Sequence, residues 1–114
     1  MTYALTTDPP LGRVGLTESQ AAAAGLSYSV ASFPMDRVTR AALDGETDGL
    51  IKLIVDDRTG CFLGAAVLGP HGAEIIQTIS VLMHVGAPAS VLSTWLPIHP
   101  TVAEFLPTVA ARAA

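Results

Sequence analysis

The sequence predicts an α+β domain in which antiparallel strands pack against helices. Two runs rich in apolar residues, 50–55 and 62–68, flank a short polar turn that ends in Gly60, a pattern typical of a β-hairpin. Shortly after the second run, apolar residues recur at helical spacing at Ala73, Ile76, Ile79 and Met83. A length of 114 residues fits one such domain with a single hydrophobic core.

The near-continuous apolarity of the two hairpin strands also predicts what surrounds them. A strand with one face in water alternates apolar and polar side chains, and neither run does so. We therefore expect both faces of the sheet to be covered by helices. The helix that starts near Ala73 should end before Gly86 and Pro88, because these residue types commonly follow a helix.

The N-terminal segment combines chain-turning residues with one helix signal. Residues 7–15 contain two prolines and two glycines, so we expect an extended, turning lead-in. Thr17 and Gln20 have the spacing of a capping box, and Gly25 stands where helices often stop. These signals predict a short helix over residues 18–24.

A strand and a polar connector follow. Apolar and polar residues alternate over residues 26–34, which predicts a half-buried strand that ends near Pro34. Residues 34–48 carry six charged side chains and are interpreted as a solvated loop with about one turn of helix.

The C-terminal third predicts short helical segments around a proline. Residues 89–94 form one of them, and Thr101 and Glu104 have capping-box spacing for another. Pro107 should end or kink that second segment, because a proline removes a hydrogen bond and clashes with the preceding turn. A last helix then resumes toward Ala113.

The composition argues against two classes of partner and for a third. With six Lys plus Arg residues and a net charge of −4, the chain offers no basic patch for nucleic acid. The apolar run 75–88 contains polar side chains and is too short to span a membrane, and no signal segment opens the sequence, so we expect a cytoplasmic protein. Because 50% of the residues are hydrophobic and 14% are charged, we expect an apolar surface that meets another protein.

Several chemistry-bearing residues occur without a specific pattern. Cys61 is the sole cysteine, so no internal disulfide can form, and its apolar neighbours predict a buried, unreactive thiol. The segment Gly69-Pro70-His71-Gly72 matches no phosphate-binding motif and is interpreted as a strand-to-helix turn. The spacings of His71, His84 and His99 match no metal site, and no G-x-S-x-G motif is present, so neither a metal site nor a hydrolase is predicted.

The strongest candidate site consists of His99 and Glu104. Pro100 disfavours helical geometry at His99, which should therefore lie in an extended or turn segment. Two interpretations stay open from the residues alone. The pair is either a loop histidine beside a helix-capping glutamate, or an imidazole whose acid/base chemistry is tuned by a carboxylate.

The motif His99-Pro100-Thr101-x-x-Glu104, taken with its surroundings, resembles the C-terminal dimerisation domain of the pyridine nucleotide-disulfide oxidoreductases. Within that group it looks most similar to the mercuric-reductase-like flavoproteins. The resemblance covers almost the whole chain, and the other matching segments follow in order: Val14-Gly15-Leu16-Thr17-Glu18, the hairpin from Gly49 to Gly64, and Gly69 with Ala73-Glu74-Ile75-Ile76.

This resemblance implies a two-layer domain, with an antiparallel sheet of about five strands packed with α-helices, that forms a homodimer. It implies that His99 reaches into the partner subunit's active site as acid/base toward redox-active thiols, and that Glu104 holds its imidazole. It also implies that His99 and Pro100 approach the partner's flavin, and that residues 69–75 contribute to the subunit contact. FAD and NAD(P)H are the cofactors of full-length members.

The catalytic parts of that family do not occur in residues 1–114. The sequence has no G-x-G-x-x-G fingerprint, no Cys-x-x-x-x-Cys pair and no paired cysteines near its end. We therefore expect a single dimerisation domain without the FAD and NAD(P) domains, colourless and not catalytic alone. In a full-length protein it would belong to an NAD(P)H-dependent FAD disulfide oxidoreductase. The alternative is a free-standing, non-catalytic interaction module derived from that family.

Overall fold

A computed structural model of the chain describes residues 2–5, 8–46 and 48–113. Within them, the chain forms a five-stranded antiparallel sheet with the order β1-β2-β5-β4-β3. The predicted α+β class with about five strands is confirmed. The strands are β1 Thr2–Leu5, β2 Leu11–Gly15, β3 Tyr28–Pro34, β4 Leu50–Asp56 and β5 Phe62–Leu68.

Five α-helices accompany the sheet in this described part of the chain. Helix α3 packs on β5 and β2, whereas α5 packs on β3 and β4 and also contacts α4. The helices are α1 Glu18–Ala23, α2 Thr39–Leu43, α3 Gly72–His84, α4 Ala89–Ser93 and α5 Leu106–Ala113. Short 3₁₀ helices, Met35–Arg37 and Val102–Phe105, precede α2 and α5. The predicted helices over 18–24, from Ala73 and over 89–94 are thus confirmed to within one or two residues at their ends.

The predicted hairpin is formed by β4 and β5. Leu53 lies opposite Ala65 and Ile51 opposite Val67, with a bulge between Ile54 and Val55. In the turn, the backbone N–H of residue 58 donates a 2.9 Å hydrogen bond to the Asp56 carboxylate, which stabilises the reversal of the chain.

The hydrophobic core lies between one face of the sheet and helices α3 and α5. Side chains alternate along a strand, so Ile51 and Leu53 of β4 share this face with their partners on β5. Leu106 of α5 and Ile79 of α3 pack from the helix side and are fully buried. Pro107 lies in the first turn of α5, where its missing N–H removes no helical hydrogen bond.

The opposite face of the sheet is only partly covered. Ile54 and Ala66 are buried there, but Leu50 is exposed and Lys52 is half-buried in an ion pair with Glu18 of α1. The expectation that helices cover both faces is therefore wrong for this face, where the described contact from a helix is the ion pair of Glu18 with Lys52. The apolar residues of β4 therefore do not indicate a second full layer of helices. The helix on this side is the short α1, whose Glu18 pairs with Lys52.

The N-terminal lead-in is more regular than its glycines and prolines suggest. Residues 11–15 form β2, and β1 pairs with it although the sequence pattern predicts no strand there; residue 7 lies outside the described residues. An added Cβ on Gly12 would clash with the carbonyl oxygen of Gly72 in α3. Close approach of helix and strand therefore explains a glycine inside this strand.

The connector over residues 34–48, of which residue 47 is not described, is also more helical than predicted. It contains the first 3₁₀ helix and α2, and its apolar residues Met35, Val38 and Ala41 are buried in the core. The intervening charged side chains are exposed. Because charged residues are so frequent here, the sequence pattern does not reveal the buried apolar residues at every third position. These residues anchor the segment in the core.

Two local sequence signals act as predicted. Thr17 Oγ1 accepts a 3.1 Å hydrogen bond from the N–H of Gln20, and Gln20 Oε1 accepts one of 2.9 Å from the N–H of Thr17. This capping box starts α1. The segment from Gly69 to Gly72 is a strand-to-helix turn, in which the Gly72 N–H donates to the Gly69 carbonyl at 3.1 Å.

Among the described residues, no helix is both long and apolar enough to cross a bilayer.

Leu53 and Leu43 offer a matched test of where the core lies. Leu53 is fully buried in β4, whereas Leu43 at the end of α2 is 69% exposed. Leu53→Ala should lower the free energy of unfolding by ~2–5 kcal/mol because it leaves a cavity. Leu43→Ala should change it by less than ~0.5 kcal/mol. Urea unfolding followed by circular dichroism measures both, and equal losses would contradict the assigned core.

Candidate active site

His99 lies on the loop that leads from α4 to the 3₁₀ helix Val102–Phe105. The peptide bond between His99 and Pro100 is cis. On either side of these two residues, Thr101 Oγ1 donates a 2.7 Å hydrogen bond to the carbonyl oxygen of Ile98. This hydrogen bond closes a turn around His99, in agreement with the turn segment that the following proline predicts.

The structure brings His99 and Glu104 together. His99 Nδ1 and Glu104 Oε2 are 2.5 Å apart, a short hydrogen-bond distance. The two side chains differ in environment, because that of His99 is 67% exposed and that of Glu104 only 11%. A carboxylate that accepts from Nδ1 fixes the tautomer and orientation of the ring, and it leaves Nε2 for other chemistry.

Glu104 contributes a second, unusual feature. Its other carboxylate oxygen, Oε1, is buried and has no hydrogen-bond partner among the described residues. A buried carboxylate oxygen without a partner is costly, so the bond to His99 is the main polar interaction of this side chain. The imidazole therefore supplies the polar partner of this carboxylate, and the carboxylate in turn orients the ring.

The predicted capping box at Thr101 and Glu104 is wrong. Thr101 begins the 3₁₀ helix, but its side chain makes no capping hydrogen bond there and instead donates to Ile98. Glu104 bonds to His99 and not to a backbone N–H of the helix start. The spacing is that of a capping box, yet each side chain has a nearer partner in the turn that contains His99.

An aromatic stack connects the site to the core. The ring of Phe105, next to Glu104, stacks on Phe33 of β3 with centroids 5.1 Å apart and an interplanar angle of 24°. The guanidinium of Arg112 in α5 lies 5.3 Å from the Phe33 centroid. These residues were not predictable as a cluster, because they come from three separate elements and share no sequence motif.

Apolar side chains are exposed on the loop just before His99. Leu96 is 91% exposed and Ile98 76%, and Trp95 is also exposed. We call these three residues the loop patch. Trp95 additionally lines an apolar cleft between α3 and α4, together with Thr78, Leu82, Val91 and Leu92. Several large apolar side chains exposed close together are typical of interaction sites.

The remaining candidates are not gathered into a site. In the part of the chain that the structure describes, no three His, Cys, Asp or Glu side chains cluster as metal ligands. Cys61 is half-buried, so the prediction of a buried thiol is wrong. It precedes β5 and forms an isolated β-bridge with Pro88, and its Sγ lies 3.7 Å from the carbonyl oxygen of Gly86.

Comparison with known proteins agrees with this geometry. The family described as "Pyridine nucleotide-disulphide oxidoreductase, dimerisation domain" matches residues 1–110. The chain belongs to this family. The expected family membership is thereby confirmed, while the closer likeness to the mercuric-reductase-like members stays a prediction.

Relatives of this dimerisation domain are much longer than the chain itself. Dihydrolipoyl dehydrogenase of Halobacterium salinarum is 36% identical over 101 residues, which are 89% of this chain and 21% of that protein. The probable pyridine nucleotide-disulfide oxidoreductase RclA of Escherichia coli is 36% identical over 104 residues, 91% of this chain and 24% of RclA. The chain therefore spans about a quarter or less of the length of these relatives.

Solved structures give the same assignment. The HOCl-induced flavoprotein disulfide reductase RclA from Escherichia coli superimposes with a TM-score of 0.94 at 34% identity. The match covers 97% of this chain and 26% of that chain. The fold of the dimerisation domain is thus reproduced over nearly all of these residues.

A double-mutant cycle tests the pairing of His99 with Glu104. His99→Ala and Glu104→Gln, made singly and together, should give a coupling free energy of ~0.5–1 kcal/mol, a modest value because the imidazole is largely exposed. His84→Ala, at an exposed histidine of α3, is the control and should show no coupling to Glu104→Gln. Urea unfolding measures all five variants. Coupling within error of zero for the His99 cycle would refute the pair.

Proposed function

We propose that this domain forms a homodimer in which each His99–Glu104 pair serves as acid/base in the partner subunit's active site, within an FAD-dependent disulfide oxidoreductase. One observation carries the proposal. A histidine is held on its Nδ1 side by a nearly buried glutamate, while its ring lies exposed beside the loop patch. Such a group is oriented within its own subunit and directed toward something outside it.

The chemistry follows from the two ring nitrogens. With Nδ1 bonded to Glu104, the nitrogen available for proton transfer is Nε2. Disulfide exchange requires a thiolate, so a base that removes the thiol proton and an acid that returns it both accelerate the reaction. An imidazole suits both roles near neutral pH. Glu104 acts through His99 and is its positioning residue.

The loop patch supports a protein partner on this side of the domain. Leu96 and Ile98 are large apolar side chains that water surrounds in the single chain, and their burial would contribute favourable free energy to association. They lie three residues and one residue before His99. A partner that covers them also approaches the imidazole, which links dimer formation to the proposed use of His99.

The cofactor would be held mainly by other parts of a full-length protein. His99 and Pro100 are exposed or half-buried at the loop and can contact the edge of a flavin bound to the partner, but residues 1–114 contain no dinucleotide fingerprint to bind its phosphates. When bound, FAD would pass electrons from NAD(P)H to the disulfide. The names of the relatives, dihydrolipoyl dehydrogenase and flavoprotein disulfide reductase, agree with this class of reaction. A cytoplasmic location is part of the same proposal.

Sedimentation velocity tests the homodimer. We expect a dimer at micromolar concentration, and Leu96→Ser should raise the dimer dissociation constant ~10- to 100-fold, because burial of a leucine contributes ~1.5–3 kcal/mol. Leu43→Ser, at an exposed leucine of α2 outside the loop patch, should leave the constant unchanged. A wild-type chain that stays monomeric across the accessible range would overturn the homodimer.

Mixed dimers of the full-length protein test whether His99 acts across the subunit boundary. One subunit carries His99→Ala, and the other carries Ser in place of both redox-active cysteines. If His99 serves the partner, this dimer keeps about half of the wild-type activity, since one of two symmetric sites is complete. The matched control combines all substitutions in one subunit with a wild-type partner and should then be inactive.

The opposite pattern, an inactive mixed dimer with a half-active control, would show that His99 acts within its own subunit. His99→Ala in both subunits should lower the rate of disulfide reduction roughly 10²–10⁴-fold. An unchanged rate would favour the alternative of a non-catalytic interaction module.

A further inference from the structure

The hydroxyl of Thr101 does not cap the following helix, as its sequence position would suggest, but bonds to the preceding loop. Thr101 has the extended backbone of a helix-start residue, with φ −136° and ψ 160°, yet its side chain caps nothing. Its Oγ1 donates to the Ile98 carbonyl oxygen at 2.7 Å, the usual distance for a hydroxyl hydrogen bond. The bond spans His99 and Pro100 and joins the two ends of the turn.

Apart from the hydrogen bond of Thr101, different interactions hold Glu104 and His99 in place. Glu104 is nearly buried, and the next residue, Phe105, stacks on Phe33 of the sheet. His99 lies on an exposed loop whose preceding side chains, Leu96 and Ile98, contact solvent. Glu104 is thus fixed from the core, whereas the backbone of His99 depends on interactions within its own turn.

We propose that Thr101 is a second positioning residue of His99, beside Glu104. Its hydroxyl bond to Ile98 holds the turn so that Nδ1 meets Glu104 and Nε2 points away from it. This inference deepens the proposed function, and it rests on that function only for the use made of the imidazole. The arrangement itself exists within one chain and requires neither a dimer nor a flavin.

Conservative substitutions separate the hydroxyl from the rest of the side chain. Thr101→Val keeps the shape and removes the donor, whereas Thr101→Ser keeps the donor and removes the methyl group. Thr108→Val makes the same change at an exposed threonine of α5 and serves as the matched control. Glu104→Gln removes the charged partner of Nδ1 and shows the signal expected for a lost pair.

The readout is the imidazole nitrogen spectrum of the ¹⁵N-labelled 114-residue chain, which reports the tautomer of each neutral histidine. In the wild type, His99 should favour the Nδ1–H tautomer because Nδ1 donates to Glu104, while exposed His71 and His84 serve as internal references. In Thr101→Val, the ratio of Nδ1–H to Nε2–H tautomer at His99 should fall about 3- to 10-fold, the effect expected for the loss of one hydrogen bond. Thr101→Ser and Thr108→Val should keep the wild-type ratio.

Each outcome supports or overturns the proposal. If Thr101→Val keeps the wild-type tautomer ratio, Thr101 does not position His99, even where the melting temperature falls as it would for a purely structural role. If the tautomer ratio at His99 falls in Thr101→Ser as it does in Thr101→Val, the methyl group and not the hydroxyl positions the ring. This result also overturns the proposal. Thr101→Ala repeats the test if the valine variant does not fold. Because the spectrum requires no dimer, a monomeric chain would refute the proposed function and leave this inference intact.

Discussion

The packing of α5 and its preceding 3₁₀ helix against the sheet is the interaction on which the candidate site depends. Leu106 is fully buried, and Phe105 stacks on Phe33 with Arg112 beside the same ring. Glu104 precedes these anchored residues and is therefore held at the edge of the core. Buried side chains have few conformations available, so the carboxylate is a fixed point to which the loop histidine can bond.

The site combines a rigid hydrogen-bond acceptor with an accessible imidazole. The nearly buried carboxylate defines the orientation of the ring, and the exposed imidazole can reach a group outside the domain. The role proposed for the pair in a partner subunit requires such an outward-facing imidazole. Membership of the pyridine nucleotide-disulphide oxidoreductase dimerisation family and the apolar loop patch both agree with a role that is completed by a second subunit.

The uncovered end of the sheet and the loop patch are separate surfaces. Leu50 lies at the end of the sheet face opposite the core, whereas Leu96 and Ile98 lie on the loop before His99. The many apolar side chains of the sequence therefore lie partly in the core and partly on these two exposed surfaces.

The sequence by itself determined the features that depend on neighbouring residues. The hairpin of β4 and β5, the capping box of α1, and the turn at His99 follow from local patterns, because their hydrogen bonds join residues close in the chain. The resemblance to the dimerisation-domain family predicted both the family membership and the pairing of His99 with Glu104. Tertiary structure decided the pairing of β1 with β2, the burial of α2 residues in the core, and the partner of Glu104. That partner could not be chosen from spacing, since a backbone N–H and an imidazole both satisfy a carboxylate, and only the closed turn and the anchored Phe105 bring the imidazole to within 2.5 Å.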